Sequence, residues 1–287
     1  MNKVKFWDLR IIKNFWKFVS AFGVIISIVL VFIDFSPIFK FTGAIATILC
    51  MIFTYAILWI KANRMQKTSL SFDETTVEVY FGDIFKSDTD SLKTISFNEY
   101  FDTEVGGKNM LVSENTINGK YLNHLTESEK IEVEEILNTD ERLQDNDVIL
   151  KKDVQRKSGK TTKYRLGTIV ELPKGYLAVS GSKFDKQNKA NITMREYISF
   201  LLNFWNEVDR IYNGRSVVIP VFGSGILRFT DGYSKATQQD LLEIILWTFK
   251  VSRIKITYPS KIEIVIFSDK KTKYNLYKLK EIAKNGL

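Results

Sequence analysis

The residues of this chain best suited to chemistry are glycines and carboxylates that directly follow apolar segments. The clearest case is VVIPVFGSGILRF, residues 217–229, where an apolar run changes abruptly to Gly223-Ser224-Gly225. Glycines let a backbone approach a ligand closely. Successive N–H groups can then hold an anion, and a pyrophosphate is the natural example. The alternative is an ordinary turn after a strand.

Nucleophilic and metal chemistry have few candidates. The chain has one cysteine, Cys50, and one histidine, His124. A lone cysteine forms no intramolecular disulfide and no thiolate cluster, and we expect His124 to be a partly exposed residue just ahead of a helix cap. Ser224 is not a nucleophile elbow, because Phe222 stands where Gly-x-Ser-x-Gly requires a glycine. We therefore predict no catalytic residue, no metal site and no cofactor.

One basic stretch is similar to a phosphate-binding motif. The sequence SGKTT at 158–162 matches the end of a P-loop, but Val154 occupies the position of the first glycine. The preceding KKDVQRK is not a buried strand, as that motif requires. We predict that residues 151–163 form a solvated basic loop.

The elements that would position the glycine loop are strands and helices after residue 67. Helices TESEKIEVEEILN and TMREYISFLLNFWNEVDRIYN each open with a capping box, Thr126/Glu129 and Thr193/Glu196. The strands include TVEVYF, LKTISF, TIVEL, YLAVSG, SVVIPVF and KIEIVIF. This pattern predicts an α/β sheet with helices on both faces.

Ligands of such sheets bind at the carboxyl ends of the strands. The residues at those ends are Gly82-Asp83-Ile84, Asn98 to Thr103, Ser180-Gly181 and Gly223-Ser224-Gly225. Each has an ordinary structural alternative: Asp83 as a turn carboxylate, Asn98 as a strand-end cap and Asp102 as a surface charge.

The first 67 residues have a different character. Two charge-free apolar runs, 18–33 and 41–60, are joined by DFSPIFK, which we predict to be a turn. About 20 apolar residues cross the hydrocarbon core as a helix, so these runs predict an antiparallel transmembrane hairpin. The alternative is a signal peptide followed by a core helix, but no small-residue cleavage site follows the first run.

Basic residues flank the hairpin on both sides: Lys3, Lys5, Arg10, Lys13 and Lys17 before it, and Lys61, Arg64 and Lys67 after it. The positive-inside rule places both termini in the cytoplasm. Membrane topology therefore explains much of the formal net charge of +8, which weakens a nucleic-acid interpretation. Small residues at 43, 44 and 46 give the second span a face suited to helix packing in a homo-oligomer; the alternative is an ordinary span with scattered small residues.

The strand-end motifs, in their order along the chain, resemble those of a macro domain. FGDIF at 81–85, FNEYFDT at 97–103 and PVFGSGI at 220–226 carry the resemblance, which covers about residues 70–287. It implies a three-layer α/β/α macro domain with a mixed sheet over 68–287, following a transmembrane hairpin with its basic N-terminal segment over 1–67.

Macro domains bind ADP-ribose and its relatives, so the resemblance implies roles for particular residues. Asp83 would accept a hydrogen bond from the adenine amino group, and the N–H of Ile84 would contact the ring. The diphosphate would be wrapped by Gly223, Ser224, Gly225 and Ile226. Asn98 and Asp102 would face the distal ribose.

The chain departs from hydrolytic macro domains, because EVGGKNMLVSENTING replaces their Asn-x-Asn loop and glycine run. This favours binding over hydrolysis. A two-helix hairpin fused to such a domain resembles the effectors of type II Thoeris antiviral defence. That resemblance implies a signal made from NAD by a TIR-domain enzyme, namely ADP-ribose conjugated to histidine. It also implies an effector in the inner (plasma) membrane of a bacterial cell that damages this membrane.

Three hypotheses follow. The first is a non-enzymatic sensor and membrane effector, the second a membrane-anchored ADP-ribosyl hydrolase, and the third a basic nucleic-acid or lipid binder. The altered asparagine loop argues against the second. The third would need a basic stripe with interleaved aromatics, which we find nowhere outside 151–165.

Overall fold

The computed structural model describes residues 4–33, 35–106, 111–152, 154–156 and 158–285, with side chains as far as Lys280. Packing divides the chain into two units. One comprises the residues up to Thr68 together with those from Lys271 onward, and the other comprises Ser69–Lys270. The C-terminal helix thus groups with the N-terminal hairpin. The predicted boundary between residues 67 and 68 stays a prediction.

Two long apolar helices dominate the first unit, α1 (Leu9–Phe32) and α2 (Pro37–Asn63). Both are long and apolar enough to cross a membrane, and no residue in their most apolar stretches is buried. The turn between them is shorter than DFSPIFK. Ser36 caps α2 and Pro37 begins it, because proline is favoured at the first helical position. Asp34 lies outside the described residues.

A small cluster joins the base of the hairpin to the C-terminal helix α8 (Leu276–Asn285). Val4, Ile11 and Ala62 are buried together, with Tyr277 packed against them. The side chain of Asn63 accepts from the N–H of Val4 and donates to its carbonyl, each at 3.3 Å. Because amide hydrogen bonds are stronger in an apolar setting, the N-terminal segment is fixed to the end of α2.

The second unit is built on a mixed sheet. Its remaining helices are α3 (Ile117–His124), α4 (Glu127–Thr139), α5 (Glu141–Gln144), α6 (Met194–Ile211) and α7 (Gln238–Ser252). The strands are β1 (Lys67–Phe72), β2 (Thr75–Gly82), β3 (Leu92–Asn98), β4 (Ile149–Lys151), β5 (Lys163–Tyr164), β6 (Ile169–Leu172), β7 (Tyr176–Phe184), β8 (Ala190–Ile192), β9 (Val217–Pro220), β10 (Arg228–Phe229) and β11 (Ile262–Phe267).

The order within the main sheet is β1-β2-β11-β9-β3-β7-β8-β10, with β6 also paired to β7. Strands β2, β11, β9, β3 and β7 are parallel, whereas β6 and β8 each run antiparallel to β7. The predicted strands TIVEL and YLAVSG are confirmed as β6 and β7, which pair antiparallel as a hairpin. The pair β4 and β5 forms a separate small sheet.

Helices cover both faces of the sheet, as predicted. One face packs Ile95, Phe97 and Ala178 against residues of α3, α4 and α5. Leu177 and Val179 alternate with Ala178 along β7 and are also fully buried, so they belong to the opposite face. This is the three-layer α/β/α arrangement. The predicted capping boxes that open α4 and α6 are both confirmed.

Candidate functional site

The parallel strands bring the predicted motifs to one edge of the sheet. Gly82 at the end of β2 lies opposite Phe267 at the end of β11, and Val265 lies opposite Pro220 at the end of β9. Strand β3, which ends at Asn98, follows on the other side of β9. Asp83, the Gly223–Ile226 loop and Asn98 therefore follow strands that end along the same edge.

Asp83 is held in a defined orientation at the end of β2. It caps the short 3₁₀ turn Ile84–Lys86, and its Oδ1 accepts the N–H of Phe85 at 3.1 Å. The Ile84 side chain is buried against Val218 and Val265, which fixes the turn on the sheet. Asp83 is half-buried, and its Oδ1 serves as the turn carboxylate that the structural alternative described. Contact with adenine stays a prediction, as does contact through the N–H of Ile84.

The glycine loop is anchored at its start and open beyond. Phe222 is buried, and its carbonyl accepts the hydroxyl of Tyr197 at 2.8 Å. Gly223 has a φ of +77°, and a Cβ there would lie 3.2 Å from the Phe229 ring. A Cβ at Gly225 would meet no protein atom within 4 Å. Glycine is therefore needed at 223 for the fold, whereas at 225 the fold itself makes no such demand.

Ser224, the middle residue of the loop, uses its N–H within the turn and its carbonyl in contacts with neighbouring side chains. The N–H of Ser224 donates to the carbonyl of Val221 at 3.2 Å, so this predicted diphosphate donor is used within the turn. The carbonyl of Ser224 accepts from Lys270 Nζ at 2.6 Å and from Gln238 Nε2 at 3.0 Å. The ammonium of Lys270 therefore lies beside the loop. Ile226, at the end of the loop, is 60% exposed.

Two groups at this edge were missed by the sequence reasoning. Phe267 ends β11 with 43% of its surface exposed, and the ammonium of Lys120 lies 4.8 Å from the centre of its ring. Lys270 follows three residues later. The strand KIEIVIF was predicted correctly, so the rule that ligands bind at strand ends could have identified both Phe267 and Lys270.

Asn98 and Asp102 lie together at the end of β3, and both are buried. Asn98 Nδ2 donates to Asp102 Oδ2 at 3.0 Å, and Asn98 Oδ1 accepts the N–H groups of Tyr100 at 2.9 Å and Asp102 at 3.3 Å. Asn98 thus caps the strand end and orients the carboxylate. The contact of Asn98 and Asp102 with a distal ribose stays a prediction.

Asp102 is paired with a residue from the basic segment. Arg156 Nη2 lies 2.9 Å from Asp102 Oδ2, with side chains 6% and 1% exposed respectively. The guanidinium also stacks on the ring of Tyr100, 3.8 Å from its centre. Gly159 has a φ of +90°, and a Cβ there would lie 2.5 Å from Asp102 Oδ1. Gly159 is therefore the residue that lets the segment pack against the carboxylate.

The prediction that residues 151–163 form a solvated basic loop is wrong from Arg156 onward. Besides Arg156 at Asp102, Lys163 Nζ lies 3.0 Å from the buried carboxylate of Glu99. Two buried carboxylates attract these cations out of water, a non-local effect that charge composition does not reveal. Burial raises the pKa of the Tyr100 hydroxyl, helped by Glu99 and Asp102 and opposed by Arg156.

His124, the histidine considered for base or metal chemistry, contacts an aromatic ring. His124 is exposed at the end of α3, where its ring stacks on Phe85 at 5.6 Å. Among the described residues, no group of three or more His, Cys, Asp or Glu side chains could hold a metal ion. What the edge offers chemically is a glycine loop, a nearby ammonium, an exposed aromatic ring and a fixed carboxylate.

Comparisons with known proteins agree with this geometry. The sequence model of the family described as Thoeris protein ThsA, Macro domain, matches residues 77–267. The Thoeris protein ThsA of Bacillus amyloliquefaciens (strain Y2) is 38% identical over 233 residues, which is 80% of this chain and 75% of that protein.

Solved structures of the macrodomain of Oceanobacillus iheyensis are similar in fold. A mutant of that macrodomain with ADPR gives a TM-score of 0.50 at 13% identity, covering 76% of this chain and 99% of that one. The same macrodomain with ADP gives 0.50 at 13%, covering 77% and 98%. At such identity the likeness concerns the fold alone.

Proposed function

Because the chain belongs to the Thoeris ThsA macro-domain family, we propose that it is a membrane-anchored sensor of an ADP-ribose-type ligand in antiviral defence. In this proposal the ligand is a signal derived from NAD, ADP-ribose conjugated to histidine, made by a partner enzyme with a TIR domain. Binding triggers disruption of the membrane.

The observation that carries the proposal is the convergence of Asp83 and the Gly223–Ile226 loop at one edge of the sheet. They follow β2 and β9, which flank the same strand, β11. Adenine would lie beside Asp83 with its face toward the exposed ring of Phe267, and the diphosphate would lie along the loop. Glycines near an anion and an aromatic ring near a base are the partners that a nucleotide diphosphate requires.

The distal end of the ligand would meet the end of β3. Here Asn98 donates a hydrogen bond to Asp102, and Asp102 also accepts a hydrogen bond from Arg156. These two side chains would form a fixed wall for the distal ribose and for whatever group it carries. A rigid polar wall favours one attached group over another, because a mismatched ligand would leave its own polar atoms unpaired.

We propose binding without turnover. A general base must be within reach of the proton it removes, with its acceptor atoms available. Asp102 already accepts from Arg156, Asn98 and the N–H of Lys160, and Glu99 accepts from the N–H of Phe184 and pairs with Lys163. These contacts support a structural role for both carboxylates.

The hairpin supplies the effector part of the proposal. Its basic flanks favour a topology with the sensor unit and both termini in the cytoplasm. Two helices enclose no aqueous lumen, so damage to the membrane would require several copies. We therefore propose that ligand binding changes the assembly of the protein.

The proposal is tested with the full chain in detergent or lipid nanodiscs. Calorimetry compares ADP-ribose, its histidine conjugate and AMP, and chromatography analyses each ligand after incubation. We expect tight binding of the conjugate, weak binding of AMP, intact ligand, and a larger or rearranged assembly by light scattering. Absence of binding to every ADP-ribose compound would refute the sensor, and stoichiometric release of ADP-ribose from the conjugate would favour a hydrolase.

A further inference from the structure

Lys120 brings a positive charge to the strand-end edge of the sheet. Its ammonium lies 4.8 Å from the centre of the Phe267 ring. Among the described residues, no carboxylate forms an ion pair with Lys120. A contact between an ammonium and an aromatic face is weak where water can reach it, and 43% of the Phe267 surface is exposed. The charge of Lys120 is therefore available to an anion.

The helix that carries Lys120 is held firmly in place. Thr116 caps α3, and its Oγ1 accepts the N–H of Gly119 at 3.0 Å. A Cβ at Gly119 would lie 2.2 Å from the carbonyl oxygen of Ser113, so the helix packs closely on the chain that precedes it. Tyr121, the next residue after Lys120, is buried in the core. The backbone at Lys120 is therefore fixed, whereas its flexible side chain can change partners.

The ring beneath this ammonium lies between the two motifs that carry the proposed function. Strand β11 has β2, followed by Asp83, on one side and β9, followed by the glycine loop, on the other. Phe267 at the end of β11 is paired with Gly82, and neighbouring strands are about 5 Å apart. A ligand with its adenine at Asp83 and its diphosphate at the loop would cross β11 at the adenosine ribose. The phosphate attached to that ribose would then come close to Lys120.

We propose that Lys120 binds the phosphate on the adenosine half of the ligand, and that its ammonium leaves the Phe267 ring to do so. The inference rests on the proposed function. A hydrogen bond from an ammonium to a phosphate joins two ionised groups and is about twice as strong as one between neutral groups, so the exchange favours binding. It also uncovers the ring for adenine, whose flat face can stack there. Lys120 thereby links recognition of the phosphate to recognition of the base.

Calorimetry of the full chain in detergent tests the inference, with ADP-ribose, AMP and adenosine as probes. Lys120→Gln should bind ADP-ribose and AMP about 5- to 30-fold more weakly. This loss is smaller than that of a whole hydrogen bond to a charged group, because the parent gives up its ring contact to make that bond. Adenosine has no phosphate and should bind the variant at least as tightly as the parent. Lys120→Arg keeps the charge and should retain most of the affinity.

Lys152→Gln is the matched control, because it removes the same charge at an exposed lysine just after β4. It should bind all three probes as the parent does. Salt screens a direct ion pair, so the difference in ADP-ribose affinity between the parent and Lys120→Gln should shrink as the ionic strength rises. The Tm of Lys120→Gln should lie within about 2 °C of the parent's, as for an ordinary surface substitution.

The outcomes separate this inference from the proposed function. If the parent chain binds no ADP-ribose compound, the proposed function fails and this inference fails with it. If the parent binds ADP-ribose and Lys120→Gln binds it equally well, Lys120 only covers the ring and the inference alone is overturned. An equal loss for adenosine would assign Lys120 to the base, and a loss for ADP-ribose without a loss for AMP would assign it to the other phosphate. Either result would overturn the inference.

Discussion

Replacement of Arg156 by Met should destabilise the second unit strongly, even without ligand. Both partners of the Arg156–Asp102 ion pair are almost fully buried. Removing one partner of a buried pair costs about 3–5 kcal/mol, because the other charge is left uncompensated. Asp102 would keep two donors, Asn98 Nδ2 at 3.0 Å and the N–H of Lys160 at 2.8 Å. These donors offset part of the cost, whereas loss of stacking on Tyr100 adds to it, so we expect about 3–5 kcal/mol overall.

The assay is thermal unfolding of the full chain in detergent, followed by circular dichroism. For a unit of about 200 residues, each 1 kcal/mol lowers the Tm by about 2–4 °C, so Arg156→Met should lower it by about 6–20 °C. Lys152→Met, at an exposed lysine before the same segment, should change stability by less than about 0.5 kcal/mol. The double variant Arg156→Met/Asp102→Asn should recover part of the loss, because it buries no unpaired charge.

If Arg156→Met loses no more stability than Lys152→Met, the segment is solvated and the buried ion pair does not form. A loss of ADP-ribose affinity with unchanged stability would show that the Arg156–Asp102 pair serves ligand binding without stabilising the fold, and would refute the stability argument.

Three further predictions concern the site and the topology. Gly225→Val should abolish calorimetric binding of ADP-ribose while leaving the Tm unchanged, because a Cβ at this position would meet no protein atom within 4 Å in the free chain; normal binding would contradict the diphosphate loop. Asp83→Ala should weaken binding by about 1–3 kcal/mol, the cost of leaving a polar group unpaired. Equal affinity of the parent and the variant for ADP-ribose would exclude Asp83 as the adenine partner. Protease added outside right-side-out vesicles should leave Ser69–Lys270 intact, and its digestion there would reverse the topology.

Local patterns in the sequence were enough to predict the elements that surround the site. The alternation in TVEVYF, the continuous apolar run of SVVIPVF and the two capping boxes depend on neighbours in sequence, and all are confirmed. The predicted strands in turn indicated which edge of the sheet, the one at their carboxyl ends, would carry the motifs. A rule about strand ends then identified Asp83 and Gly223–Ile226 without knowledge of the strand order.

The errors concern contacts between residues distant in sequence. Arg156 and Gly159 lie in a stretch whose composition is typical of a solvated loop, yet they pack against Asp102 more than fifty residues earlier. Lys270 looks like one of many surface lysines until the fold brings it to Ser224. The grouping of α8 with the hairpin depends on Tyr277 and Asn14, which lie at opposite ends of the chain.

The strand order has a consequence for the stage of synthesis at which the candidate site can assemble. Strand β11 lies between β2 and β9, so an interior position of the sheet is filled by the last of the described strands to leave the ribosome. The hairpin emerges first and can enter the membrane while Asp83 and the glycine loop still lack the strand that joins them. On the proposed function, a nascent chain would be anchored before it could bind a nucleotide, and an interrupted chain ending before Ile262 would carry the two apolar helices without an assembled site.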